Sequence, residues 1–176
     1  MAFGRIFKER PAIAAGKRLY AAVVDQARSP IFYRDLGVPD TVMGRFELYT
    51  LHAVLLVLRL KGRGAEQVEV VQALFDAYLE GLDIALREMG VGDLSVGKKM
   101  KKLGGAFYGR VSAWETALTQ GAEEVRSLVA RTLYAGVDNP HAAKLATYAA
   151  EAHDALATQD EAALLSGEAK WPGAPL

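Results

Sequence analysis

The sequence predicts an all-α fold, an irregular single-domain bundle of about six or seven helices. Apolar residues recur at steps of three and four along most of the chain, which is typical of helices with one face against a core. No segment alternates polar and apolar residues for the length of a strand, and no internal repeat has the period of a solenoid.

Composition limits what the protein can be. The chain has 176 residues and is 51% hydrophobic, enough for one domain with a substantial core. It contains no cysteine, which excludes disulfides, thiolate nucleophiles and cysteine-based zinc or iron-sulfur sites. No apolar stretch approaches the roughly 20 residues of a membrane span, and no export signal is visible, so we expect a cytoplasmic protein.

The first half of the chain predicts two helices joined by an extended segment. Pro11 suits the first turn of a helix over 11–28. The segment 29–39 carries two prolines and is predicted to be extended. Asp40 is the expected N-cap of a helix over 41–61, which is apolar on most sides and is therefore the best candidate for the central helix.

A third helix is predicted over 65–89, and a fourth carries a regular apolar stripe from Val96 to Leu118. The stripe predicted to face inward on the third helix comprises Val68, Val71, Phe75, Tyr78, Leu82, Leu86 and Met89. Glycines lower helix stability, so their clustering in the fourth helix predicts a closely approaching neighbour. These glycines are Gly97, Gly104, Gly105 and Gly109.

Three helices complete the domain. One is predicted over 122–134, another to about residue 157 from an Asn139 cap, and a short last one from a capping box at Thr158 and Glu161. The expected organisation is a basic and apolar N-terminal tail over residues 1–10, one helical domain over 11–166, and a C-terminal tail over 167–176.

Motifs for catalysis, metals and cofactors are weak. Gly92 to Lys98 matches a phosphate-binding loop, but Lys99 stands where a hydroxyl must hold magnesium, and a helix precedes the loop instead of a strand. The three histidines fall in different elements, and no serine occupies a nucleophile elbow. The residues thus predict no enzyme, metal site or cofactor, although His52 on an apolar helix leaves open a small haem or lipid-ligand binding protein.

The segment 94–110 carries five basic residues and no acidic one. Lys98, Lys99, Lys101 and Lys102, followed by Tyr108, could track a phosphate backbone or an acidic protein surface, or could form an ordinary solvated face. A ribosome-associated or RNA-binding module is therefore a further alternative.

Several linked motifs resemble the ubiquinol-cytochrome c chaperone family. They span 86–99 (LREMGVGDLSVGKK), 107–110 (FYGR), 32–33 (FY), 37–41 (GVPDT), 44–47 (GRFE) and 51–52 (LH). The chain departs from the pattern at Met43, Gly81 and Ile84, where the family often has an acidic residue.

The resemblance implies a non-catalytic assembly chaperone without a cofactor, which binds newly made cytochrome b during biogenesis of ubiquinol-cytochrome c reductase. It also implies that a small partner protein or the ribosome is a candidate contact. The apolar and basic residues 1–10 leave open a peripheral contact with the cytoplasmic face of the inner membrane. DNA is not an expected partner.

A chaperone for a membrane subunit needs a surface that mixes apolar and charged groups. The predicted client-binding patch comprises Tyr33, Arg45, His52, Asp83, Arg87, Glu88, Asp93, Lys98, Lys99, Tyr108 and Arg110. The alternative is structural: Asp83 and Arg87, four apart on one helix, form a pair, and Arg45 and Glu88 anchor loops.

Overall fold

The computed structural model describes residues 9–62, 64–88, 93–137 and 139–173, and these residues form eight helices and no strand. The predicted all-α, single-domain fold class is confirmed. The helices are α1 Pro11–Ala27, α2 Pro30–Arg34, α3 Val42–Leu60, α4 Ala65–Glu88, α5 Asp93–Gln120, α6 Ala122–Leu133, α7 Ala142–Thr158 and α8 Glu161–Leu165. None of the helices in the described ranges has the length and apolar content needed to cross a bilayer.

Helix α3 is the central element, as the sequence predicts. Helices α1, α4, α5, α6 and α7 all contact it, and it is buried on nearly every side. Its N-cap is Thr41 instead of the predicted Asp40: the Thr41 hydroxyl accepts a hydrogen bond from the Gly44 amide at 3.1 Å. The Asp40 carboxylate is thereby free to bind Arg45.

Helix α2 replaces part of the predicted extended segment. Pro30 occupies its first turn, where a missing amide hydrogen costs nothing and the fixed φ angle favours the helix. The short helix buries Phe32 completely, and the Tyr33 hydroxyl donates to the Ala27 carbonyl at 2.8 Å. Burial of Phe32 thus stabilises a turn that the two prolines alone do not predict.

Helices α1 and α4 approach each other closely through small residues. A Cβ atom added to Gly16 would lie 2.5 Å from Ala73 on α4, and one added to Gly81 would overlap the Tyr20 hydroxyl. Close packing therefore turns small residues of α4 inward, and Val68 is exposed, contrary to the prediction.

The four glycines of α5 do not mark such an approach, so that prediction was wrong. Among the described residues, no atom lies within 4 Å of a Cβ added to Gly97, Gly105 or Gly109, and Gly104 has only a Phe75 ring carbon at 3.8 Å. Helix α5 is fixed by other residues, chiefly the buried Phe107, Trp114 and Ala117.

A buried arginine closes the C-terminal end of α7. Arg59 of α3 donates from Nε to the Leu156 carbonyl at 2.8 Å and from Nη2 to the Gln159 carbonyl at 3.1 Å. The Gln159 amide also donates to the Leu156 carbonyl at 3.3 Å, so the guanidinium reinforces the C-cap of α7 and its charge complements the helix dipole. The next helix, α8, is capped by Asp160, whereas Thr158 is the last residue of α7 and not the predicted cap.

The segment predicted to be a C-terminal tail packs on the domain as far as residue 173. The indole of Trp171 donates to the Ala22 carbonyl at 3.1 Å, and its ring meets His52 edge-on at a centroid distance of 4.9 Å. Gln159 binds both the amide and the carbonyl of Lys170. The packed helical unit thus extends beyond residue 166.

Candidate functional site

An apolar groove opens where the start of α3, the end of α4 and the first half of α5 meet. It has a volume of about 120 Å³ and a lining that is almost entirely apolar. The residues of this apolar groove are Val42, Met43, Phe46, Tyr49, Leu82, Ala85, Leu86 and Leu103.

The groove forms because the apolar residues of α3 continue toward its N-terminus, beyond the part of the bundle where the helices pack tightly against one another. Phe46 packs near Tyr78 deeper in the bundle, at a ring-centroid distance of 6.4 Å. One turn earlier, Val42 is 53% exposed and Met43 59% exposed. Apolar side chains left open beside an apolar depression are typical of a binding surface.

The α3 side of the groove carries a charged pair. Arg45 donates from Nε to Asp40 Oδ1 at 2.6 Å, and its guanidinium lies 5.8 Å from the centroid of the Tyr33 ring. The hydrogen bond lowers the pKa of Asp40 and raises that of Arg45, and partial burial raises the pKa of Tyr33 to about 12. Two predicted site residues, Tyr33 and Arg45, thus lie together beside the groove with Tyr33 uncharged.

A second charged pair lies on α4. Arg87 Nε donates to Asp83 Oδ2 at 2.6 Å, the i,i+4 pairing that the sequence offered as the structural alternative. Asp83 and Arg87 each follow a groove residue by one position, so the pair borders the apolar face of α4. Glu88 is exposed at the last residue of this helix.

Arg110 is a structural residue next to the groove. It holds the Glu47 carboxylate through two hydrogen bonds, at 2.9 Å from Nε and 2.5 Å from Nη2. Glu47 is only 7% exposed and Arg110 32% exposed, and the hydrogen bond raises the pKa of Arg110. Because Glu47 adjoins Phe46, this ion pair fixes α5 against α3 and so positions the α5 side of the groove.

The other predicted residues on α5 do not join the groove. Lys98 is exposed, and the exposed Tyr108 packs on Phe75 at a centroid distance of 5.2 Å. In the ranges that the structure describes, no hydrogen bond or ion pair connects Lys98 or Tyr108 to a groove residue. The side chains of Asp93 and Lys99 lie outside the described residues.

His52 lies in the core and not on a surface patch. Its Nδ1 lies 2.8 Å from the Leu48 carbonyl, which can only accept, so Nδ1 carries the proton. Its Nε2 therefore accepts from the Tyr148 hydroxyl at 2.8 Å, and that oxygen accepts from Gln26 at 2.8 Å. Both ring nitrogens are thus occupied inside the fold, which argues against His52 as a client contact or a haem ligand.

Burial of His52 predicts a pH dependence of stability. Desolvation lowers its pKa to about 4 in the folded protein, from an ordinary 6.5. The unfolded state therefore binds the proton first, and folding stability falls as the pH drops from about 6.5 to about 4, by roughly 3 kcal/mol in total. Urea unfolding at a series of pH values should show a smaller loss in His52→Met than in the parent; equal pH profiles would contradict this assignment.

The sequence missed several groove residues for an identifiable reason. Leu82 and Leu86 were predicted to face the core; Leu82 is buried there as predicted, but both side chains also line an opening at the end of the helix. Ala85 and Leu103 had no distinguishing signal as site residues. Met43 had such a signal, because it is an apolar residue at a position where the family resemblance leads us to expect an acidic one.

Comparison with protein families supports the motif-based prediction. The model of a family described as ubiquinol-cytochrome C chaperone matches residues 34–171, which is most of the chain and includes every residue of the apolar groove. The chain belongs to the ubiquinol-cytochrome c chaperone family. No curated protein matches it to a significant degree.

A solved structure extends the likeness of this family member to nearly its full length. The crystal structure of the Cbp3 homolog from Brucella abortus is 34% identical and superimposes with a TM-score of 0.85. The match covers 93% of this chain and 92% of that chain. The helical architecture of this chain is thus shared with the Cbp3 homolog over nearly the full length of both proteins.

Proposed function

We propose that this protein is a non-catalytic assembly chaperone of ubiquinol-cytochrome c reductase that binds newly made cytochrome b at the apolar groove. The observation that carries the proposal is the groove itself, an opening lined by apolar side chains and bordered by charged pairs, in a member of this family. Newly made cytochrome b is the client that the family resemblance implies.

The geometry suits reversible binding of a hydrophobic client. A groove of about 120 Å³ accepts an apolar side chain, and burial of one such side chain contributes roughly 1.5–3 kcal/mol. Several contacts of this size hold a client, yet each is small enough for release. The Arg45–Asp40 and Arg87–Asp83 pairs are largely exposed, so exchanging their partners for charges on the client changes the free energy little.

Site-specific photocrosslinking tests the proposal in cells. A photoreactive amino acid at Met43, in the groove, should crosslink to newly made cytochrome b. The same amino acid at Val68, an exposed apolar residue elsewhere on the surface, should not. Deleting the gene should also reduce assembled reductase in membranes. An unchanged amount of assembled reductase in the deletion strain would contradict the chaperone function. Equal crosslinking from Met43 and Val68 would show that cytochrome b does not bind specifically at the apolar groove.

The ribosome is a second candidate contact, because Lys98, Lys101 and Lys102 are exposed. No ion pair involves them within the described residues. Unpaired lysines on one stretch of helix suit a phosphate backbone. Salt-sensitive co-sedimentation with ribosomes, lost when these three lysines become glutamate, would support this contact, and unchanged sedimentation would exclude it. The small partner protein stays a prediction from the resemblance, and the cytoplasmic location and a peripheral contact at the inner membrane stay predictions from the sequence.

A further inference from the structure

A second groove lies between α6 and α7 and shares no lining residue with the apolar groove. Its volume is about 360 Å³. Four alanines contribute to its lining, Ala122 on α6 and Ala143, Ala146 and Ala150 on α7. The α7 residues of the lining run from 143 to 154, a length of about 16 Å at the rise of an α-helix. This α6/α7 groove is therefore about three helical turns long, and its small side chains allow another backbone to approach closely.

One end of the α6/α7 groove is acidic. Glu123, Glu151 and Asp154 line it, and Arg126, the basic residue there, is bound to Glu123 at 2.7 Å. In the described part of the chain Glu151 has no ion pair, and the one recorded for Asp154 is with its neighbour His153 at 3.1 Å. Negative charge thus remains uncompensated at this end.

The position of these carboxylates is unfavourable for α7 by itself. Glu151 and Asp154 lie in its C-terminal half, where the helix dipole disfavours negative charge, and the last turn contains no basic residue. Asp154 lies nearer the C-terminal end of α7 than Glu151, so the helix dipole disfavours its charge more. A positive group bound between α6 and α7 would remove both the local repulsion and the uncompensated charge.

We propose that the α6/α7 groove binds an amphipathic helix of a partner protein. The apolar face of that helix lies on the alanines, and lysine or arginine side chains at its edge meet Glu151 and Asp154. The shape favours a helix because the groove is about three helical turns long and four alanines line it. The charge excludes phosphate-bearing partners, since nucleic acids and anionic lipids would face carboxylates.

A defined peptide tests this inference. The probe is a labelled peptide of about 18 residues of leucine, alanine and lysine, arranged as an amphipathic helix, and binding to the full chain is followed by fluorescence anisotropy. Glu151→Lys with Asp154→Lys should weaken binding about ten-fold or more. Thr147→Trp, at an exposed position in the groove, should weaken it similarly without a change in charge.

The control keeps the change in net charge but moves it. Asp76→Lys with Glu80→Lys, on the exposed face of α4, should leave the affinity unchanged, and a peptide with glutamate in place of lysine should not bind. Equal weakening in the α4 control would show unspecific attraction and overturn the proposal. So would unaltered binding to Thr147→Trp, or a parent dimer that Thr147→Trp converts to a monomer, since the occupant would then be a second copy. Cytochrome b crosslinking at Met43 is expected to persist in all these variants, which separates this test from that of the proposed function.

Discussion

Replacing Leu86 by glutamate is expected to abolish client binding while the protein remains folded. Leu86 lines the apolar groove and is only partly buried, so the chain tolerates the change, but a client side chain in the groove would then cover a carboxylate. Burying that charge without a partner costs about 3 kcal/mol or more, which weakens binding about 100-fold. Assembled reductase in membranes and crosslinking from Met43 to cytochrome b should both fall to the level of the gene deletion.

Two further variants test whether the effect of Leu86→Glu arises in the groove. Ala85→Trp fills the groove without adding charge and should reduce client binding in the same way. Ile84→Glu places the same carboxylate on the same helix, at an exposed residue that does not line the groove, and should assemble reductase normally. If Ile84→Glu is as defective as Leu86→Glu, or if Ala85→Trp is fully active, the client does not bind in the groove.

Replacing Arg110 by methionine is expected to destabilise the fold by about 3 kcal/mol. The substitution leaves the Glu47 carboxylate buried without its bidentate partner, and breaking a buried pair in this way typically costs about 3–5 kcal/mol. The lower end applies because Arg110 is one-third exposed and water reaches part of the gap. Urea unfolding of the variant should show a lower midpoint with an unchanged slope.

The double variant Glu47→Gln with Arg110→Met separates lost charge pairing from lost packing. Removing the stranded charge should recover most of the stability, because a neutral pair of similar size carries no such desolvation cost. Arg34→Met is the matched control: it breaks the exposed Arg34–Asp35 pair and should change stability by less than about 1 kcal/mol. A double variant as unstable as Arg110→Met would show that packing, and not the ion pair, holds α5 against α3.

The long helices were predictable because each has a face that must be buried. Helix α3 is apolar on nearly all sides, and this pattern correctly identified it as the central helix. The predicted inward face of α4 was wrong where the close contact with α1 requires small residues. Gly16 of α1 packs against Ala73, and the larger Val68 is exposed. Helix α2 was not predicted because two prolines favour an extended segment, whereas Pro30 starts a helical turn that burial of Phe32 stabilises.

The candidate site was only partly predictable, since three helices far apart in sequence form it. Charged residues of the motifs drew attention to Arg45 and Arg87, and both border the groove. The same criterion selected His52, whose polar bonds are made inside the core. Sequence spacing shows that Leu86 and Leu103 are apolar, but only the packing of α3, α4 and α5 decides that the space between them stays open.

The contact between Tyr20 and Gly81 restricts how these two positions can vary together. A side chain at 81 would occupy the volume of the tyrosine hydroxyl, so an acidic residue there, which the family resemblance leads us to expect in relatives, requires that the Tyr20 ring move or that a smaller residue replace it on α1. Relatives with aspartate or glutamate at this position should therefore carry a shorter residue opposite it, and Gly81→Asp should be tolerated here only together with a change such as Tyr20→Ala. An alignment of homologous sequences should show that positions 20 and 81 change together. Independent variation at the two positions would show that the helices separate to make room for the side chain.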